Sequence, residues 1–115
     1  MKIARRFTVK KREQARRFVT NRVNYFNQFY GFKINRIAIK NTNTRWGSCS
    51  SKGNLNFNYK IIYLMPALAD YLIVHELCHL GELNHSKRFW ALVFKMVPDY
   101  VRINKELRRT PVKFI

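Results

Sequence analysis

Acidic residues are scarce in this chain: 6 Asp and Glu stand against 23 Lys and Arg in 115 residues, a formal net charge of +17. Such a surface disfavours cationic partners and attracts polyanions, whether nucleic acid, anionic membrane or acidic protein, and charge alone does not choose among them. A basic solvated surface is the plain alternative. Cysteine is nearly absent. Cys49 and Cys78 are too few for a disulfide framework, so both are taken as reduced, mostly buried thiols. Long apolar runs are missing as well: the longest, residues 61–69, falls short of the about 20 residues that a membrane helix needs, which excludes a membrane span. The basic start Met1-Lys2-Ile3-Ala4-Arg5-Arg6 has no apolar segment behind it before Lys10 and Lys11, which argues against a secretory signal and makes a cytoplasmic location the expectation. Histidine is scarcest of all in proportion to its importance, with 3 residues that all fall between positions 75 and 85.

What is present describes a folded domain. Hydrophobic residues make up 47% and aromatics 15%, enough for one core over residues 1–115 and too little chain for a second, substrate-binding domain. From about residue 8 to residue 30, Ala15, Phe18, Val19, Val23, Phe26, Phe29 and Tyr30 recur at helical spacing, with Thr8 as a cap and Gly31 as the end. Lys11, Arg12, Arg16, Arg17 and Asn24 occupy the opposite face, which is either a polyanion contact or simply solvated. Alternation in residues 33–40 predicts a strand, and residues 44–49 and 55–59 flank a turn-rich stretch that predicts a hairpin. A second helix begins near Pro66 and carries the histidines among Leu68, Tyr71, Leu72, Val74 and Leu77. Ser86 caps a third over residues 87–97, bringing Phe89, Trp90, Val93 and Phe94 inward, and after Pro98 a fourth spans about residues 99–109 with Val101, Ile103 and Leu107. The order predicts an α+β fold: an N-terminal helix, a small three-stranded mixed or antiparallel sheet beside the histidine-bearing helix, and C-terminal helices.

The window His75-Glu76-Leu77-Cys78-His79 has the spacing of a metal site. Residues four apart on a helix lie about 40° apart around the axis and about 6 Å along it, so two imidazoles reach one cation. His85, six residues on and beyond a Gly81 that can turn the chain back, is the third ligand. Glu76 projects beside the pair, where a carboxylate can serve as general base. A catalytic zinc keeps one position open, and no histidine or cysteine is placed to close this one. Cys78 lies about 60° from His75 around the helix and belongs to the core. Tyr100, Arg102 and Asn58 are alternatives for a donor to a developing oxyanion.

Together, Arg45-Trp46-Gly47-Ser48-Cys49-Ser50, the HELCH run, Asn84-His85-Ser86 and Phe89-Trp90 resemble the YgjP-like metallopeptidase domain, in a compact form similar to the minigluzincins of selecase-like type. The resemblance covers roughly residues 34–107 and implies a single minimal zincin-like domain, 1–115. It also implies one zinc ion per chain held by His75, His79 and His85, with Glu76 as catalytic base. The gluzincin name implies a glutamate ligand, for which Glu106 is the alternative to His85. Longer YgjP-like proteins carry a β-rich region ahead of this domain, where this chain has its basic helix. The spacing from His79 to His85 also equals that of metzincins, but their glycine falls at Glu82 here. The function expected is a zinc-dependent metalloendopeptidase acting on extended or unfolded polypeptide. The segment holding Trp46 would bind substrate as an edge strand or merely pack against the helix. The apolar tail, residues 109–115, is expected to be extended and to confer latency by entering the cleft or by driving homo-oligomer formation. The alternative is a nucleic-acid-binding module with a zinc site, or a peptidase for DNA-bound proteins.

Overall fold

The computed structural model describes residues 6–115; the start of the basic N-terminal segment, on which the absence of a secretory signal was argued, lies outside the described residues. Thr8 opens the first helix by accepting the Lys11 amide on its side-chain oxygen at 3.1 Å, and α1 runs Val9–Asn27. The helix stops where Asn27 turns on Phe32, donating from Nδ2 to the Phe32 carbonyl and accepting the Phe32 amide, both at 2.8 Å. Ala15, Val19, Val23 and Phe26 are buried as their spacing predicts. Phe29, expected with them, falls in the turn past the last helical residue and is 42% exposed.

The sheet is mixed. Its strands are β1 (Arg36–Lys40), β2 (Gly47–Cys49) and β3 (Asn54–Asn58), in the order β1-β3-β2. β2 and β3 form the antiparallel hairpin, Gly47 opposite Phe57, whereas β1 pairs in parallel with β3, Arg36 opposite Asn54. β1 and β2 are therefore the two edges. Asn58 closes β3 with a fully used side chain: Nδ2 donates to the carbonyls of Thr42 and Arg45 at 2.8 and 3.1 Å, and Oδ1 accepts the Lys60 amide at 3.1 Å. A short 3-10 turn, Tyr59–Tyr63, leads to the next helix.

That helix, α2 (Pro66–Cys78), starts on proline and is buried on most sides. It packs against α1, β2, α3 (Lys87–Met96) and α4 (Tyr100–Arg108), which is why its sequence is apolar around nearly the whole circumference. Ser86 caps α3 by accepting the Phe89 amide at 3.3 Å. Two apolar side chains expected inside are outside: Phe94 is 56% and Val101 57% exposed. Phe89 and Val93 already fill the inward face of α3, with Phe94 about 100° further round, and Val101 sits about 200° from the buried Ile103.

The tail also departs from expectation. Val112–Phe114 forms a 3-10 turn rather than an extended strand, and Val112 is buried. Its carbonyl accepts from the Lys60 ammonium at 3.3 Å, with Asn43 Oδ1 at 3.4 Å as a second acceptor. Lys60 is only 7% exposed, and a buried ammonium needs such acceptors to offset its lost hydration.

Candidate metal centre

His79 is the cap of α2 and keeps right-handed backbone, φ −65° and ψ −17°. The geometry of an i, i+4 pair therefore survives although the helix proper ends one residue earlier. Beyond it the chain tightens, with the amides of Leu80 and Gly81 bonding to the carbonyls of Leu77 and Cys78, each at 3.0 Å. Gly81 turns the chain without the left-handed conformation in which a glycine commonly ends a helix; positive φ among the described residues belongs to Gly31 and Gly53. Glycine is needed there for room, because a Cβ would stand 2.7 Å from the Phe32 ring and 3.0 Å from Leu92 Cδ1. The chain then reverses and delivers His85 to the other two imidazoles.

The three rings present the same atom. Nε2 of His85 lies 3.1 Å from Nε2 of His79 and 3.3 Å from Nε2 of His75, and the three candidate ligand atoms lie within 4.8 Å of one another. On two of the rings the other nitrogen is spoken for. His79 Nδ1 is 3.0 Å from the Glu82 carbonyl, which can only accept, so that nitrogen carries the proton and Nε2 keeps a lone pair. His75 Nδ1 is 3.2 Å from the Tyr71 hydroxyl, which itself donates to Asn104 Oδ1 at 2.9 Å, so Tyr71 accepts from Nδ1 and the same tautomer results. Burial, followed by the neighbouring imidazoles, lowers the His75 pKa to about 3, and burial first of all lowers that of His79. Imidazole lone pairs converging on one point repel unless a cation stands between them, so this donor set fits a divalent metal.

Aromatic rings fix the imidazole planes. Phe89 stacks on His79 with centroids 4.3 Å apart, Trp90 on His85 at 5.7 Å, and Tyr100 on Trp90 at 4.9 Å. The Phe-Trp pair of α3 is thus a wall of the centre.

Glu76 shares a cleft of about 220 Å³ with His75; Arg45, Trp46, Gly47, Tyr71 and Asn104 also line it. Its carboxyl is buried, and burial raises its pKa to about 7 against the opposing pull of Arg45. The strand beside it must come close. A Cβ on Gly47 would lie 3.1 Å from Glu76 Cγ, 3.3 Å from Glu76 Oε2 and 3.0 Å from the Asn56 carbonyl. A buried, partly protonated carboxyl beside the imidazole cluster can take up and return a proton near neutral pH.

The remaining candidates separate clearly. Trp46 does line the cleft, while its Nε1 donates to the Thr110 carbonyl at 2.8 Å. Glu106 is not in the cluster: it pairs with Arg102 at 3.1 Å on the exposed face of α4. Arg102 also holds Asp99 at 2.6 Å, and Asn58 is consumed by the loop it braces, so neither stands free as an oxyanion donor. Tyr100 stacks behind His85 through Trp90. Cys78 is fully buried, and both thiols have pKa values raised to about 11 by burial, which makes them poor nucleophiles. Sequence reasoning missed Tyr71, Asn104, Gly47 and Arg45 as parts of the site. Tyr71 lies one turn before His75 on the same helix face, which is a legible signal; Asn104 comes from α4 and carries none.

Comparison with known proteins agrees with this architecture. Residues 2–110 match the family model described as YgjP-like, metallopeptidase domain. Among solved structures, the chain superposes on the metallopeptidase zymogen of Pyrococcus abyssi abylysin with a TM-score of 0.71, at 21% identity over 80% of this chain and 93% of that one. The metallopeptidase zymogen of Methanocaldococcus jannaschii jannalysin gives a TM-score of 0.68 at 23% identity, covering 80% and 95%. No curated protein matches the sequence. None of the described helices is long and apolar enough to cross a membrane.

Proposed function

Because the chain belongs to the YgjP-like metallopeptidase family, and is accordingly a hydrolase of peptide bonds, we propose that His75, His79 and His85 hold one zinc ion and that Glu76 is the general base. The convergence of three Nε2 atoms beside a buried carboxylate carries this reading. Zinc in such a site supplies Lewis acidity, polarising a carbonyl and lowering the pKa of water. Glu76 takes a proton from the attacking water on its carboxylate and returns it to the departing amine nitrogen. His79 and His75 hold their Nδ1 protons on Glu82 and Tyr71, keeping Nε2 directed inward. The substrate is extended or unfolded polypeptide: the cleft is open, and β2, an edge strand that begins in its wall at Gly47, offers backbone groups to a peptide laid beside it, with Trp46 just before it as a contact. Glu76→Gln should keep the zinc and lose at least about a hundredfold in peptide hydrolysis. Zinc content by elemental analysis, measured alongside cleavage of an unstructured peptide, checks this; an active, zinc-loaded variant sinks the assignment.

The two structural neighbours are zymogens by name, and latency belongs to this reading in one form. Thr110 and Val112 are held by Trp46 and Lys60, and no cleft-lining residue lies beyond Leu107. Self-association through the cleft is therefore the form proposed, rather than occupation by the chain's own tail. It predicts a specific activity that falls as enzyme concentration rises, in step with a larger species on size-exclusion chromatography. Constant specific activity across that range would count against it.

One observation favours a second partner. Arg12, Arg16, Arg36 and Lys40 line a polar groove between α1 and β1, suited to a nucleic-acid backbone, so the peptidase would act on proteins near or on a nucleic acid. The expected location is the cytoplasm.

A further inference from the structure

A second concavity borders the metal centre, and it shares no lining residue with the cleft that holds Arg45 and Trp46. It measures about 420 Å³, and His79 contributes to its wall. Its charged residues are Lys33 and Lys52, both exposed, joined by the polar Asn35, Ser50 and Ser51. No carboxylate lines it; Glu82, between the lining residues Leu80 and Leu83, does not reach the wall. Neither lysine forms an ion pair among the described residues, and the acidic side chains that do, Glu13, Asp70, Asp99 and Glu106, are engaged by arginines elsewhere.

The hairpin connects this cavity to the cleft. Gly47, at the start of β2, lines the cleft together with Glu76, and Ser50, just past its end, lines the cavity. Three residues of extended chain span about 10 Å. A peptide lying along β2 with its scissile bond beside Glu76 thus brings a side chain two or three residues away over Lys33 and Lys52. Resting on the peptidase reading above, we propose that this cavity is a specificity subsite for an acidic side chain, aspartate or glutamate, within about three residues of the bond cleaved. The positive field of the two lysines attracts the carboxylate, while Asn35 and the two serines supply uncharged hydrogen-bond donors around it. Each concavity carries cations, Lys33 and Lys52 here and Arg45 in the cleft, and an acidic peptide complements both.

The test uses the full, zinc-loaded chain and quenched-fluorescence peptides that differ only in Glu, Gln or Lys at each of the three positions on either side of the bond. At one position Glu should be preferred to Gln by about fivefold in kcat/KM, the size expected of exposed ion pairs, with Lys worse than both. That ratio should fall close to one in the double variant Lys33→Gln/Lys52→Gln, and should shrink as salt rises from about 50 to about 500 mM. Equal rates for Glu and Gln at every position overturn the proposal, as does a preference that survives in the double variant. A binding arm separates the two ideas: fluorescence anisotropy of labelled Glu and Gln peptides on zinc-loaded Glu76→Gln, with and without the lysine substitutions. If wild type cleaves no peptide even at concentrations where it elutes as a monomer, the peptidase site is wrong, and the anisotropy ratio still decides the subsite. Equal binding of the two peptides there refutes it.

Discussion

Tyr71 holds His75 from one helical turn below, and its hydroxyl faces two partners at once, the imidazole at 3.2 Å and Asn104 at 2.9 Å. Burial raises the phenol pKa, so the hydroxyl stays protonated and the direction of both bonds is fixed. Asn104 receives the proton of Tyr71, and Tyr71 receives that of His75. Tyr71→Phe keeps the ring volume, yet removes the acceptor of His75 and leaves Asn104 without its donor. Loss of such an outer partner weakens metal affinity by about 10- to 100-fold. Competition of the zinc form with a chromogenic chelator should show that loss, with circular dichroism unchanged; an unaltered zinc affinity would mean that the hydroxyl has no part in orienting the ligand.

At the scale of elements, α2 is held at both ends by different means. Its C-terminal end is defined by the histidine turn, and its N-terminal half is tied to α1 by Arg22 and Asp70, whose two bonds are each 2.9 Å. The pair is about one-third exposed, so solvent screens it, but the forked geometry recovers part of what a single surface contact loses. Asp70→Ala is expected to cost about 1 kcal/mol of stability in urea denaturation without changing zinc affinity, because the bond lies more than a turn from His75. Periodicity made most of these elements legible. Thr8 and Ser86 stood where caps stand, and Ala15, Val19, Val23 and Phe26 repeated at helical spacing. The parallel pairing of β1 with β3 was not legible, since the hairpin of β2 and β3 leaves the register of a third strand to contacts far apart in sequence. The exposure of Phe94 and Val101 was hidden for a related reason. A short helix with apolar residues on several faces cannot bury all of them against one neighbour, and composition does not reveal which face the neighbour takes.

At the scale of the whole molecule the histidine window was legible because it is local, whereas its support is assembled from every part of the chain: Gly47 and Arg45 from the hairpin, Tyr71 from α2, Phe89 and Trp90 from α3, Asn104 from α4. The spacing of the three histidines is written in eleven residues, but the wall around them is written in the fold. The charge behaves in the opposite way. The value of +17 is a property of the entire sequence, and only the structure says where it gathers.

One gathering is the groove along β1, the sheet edge opposite β2. Arg12, Arg16, Arg36 and Lys40 line it, and the Arg12 guanidinium is held over the Phe7 ring at 4.9 Å from its centroid. Among the described residues, Arg16 alone of the four meets a carboxylate, Glu13 at 3.4 Å in an exposed contact. Because this edge and the cleft lie on opposite sides of β3, a polyanion in the groove leaves the metal centre open. Each phosphate neutralised releases counterions and adds about 0.9 to the slope of log K against log salt. Replacing all four cations by Gln should therefore lower the magnitude of that slope by about 3.6 for a duplex DNA probe, measured by fluorescence anisotropy over a salt series. Hydrolysis of a short neutral peptide should be the same with and without saturating DNA. A slope unchanged by the four substitutions would return the basic charge to a solvated surface, and inhibition by DNA would move the binding site onto the cleft.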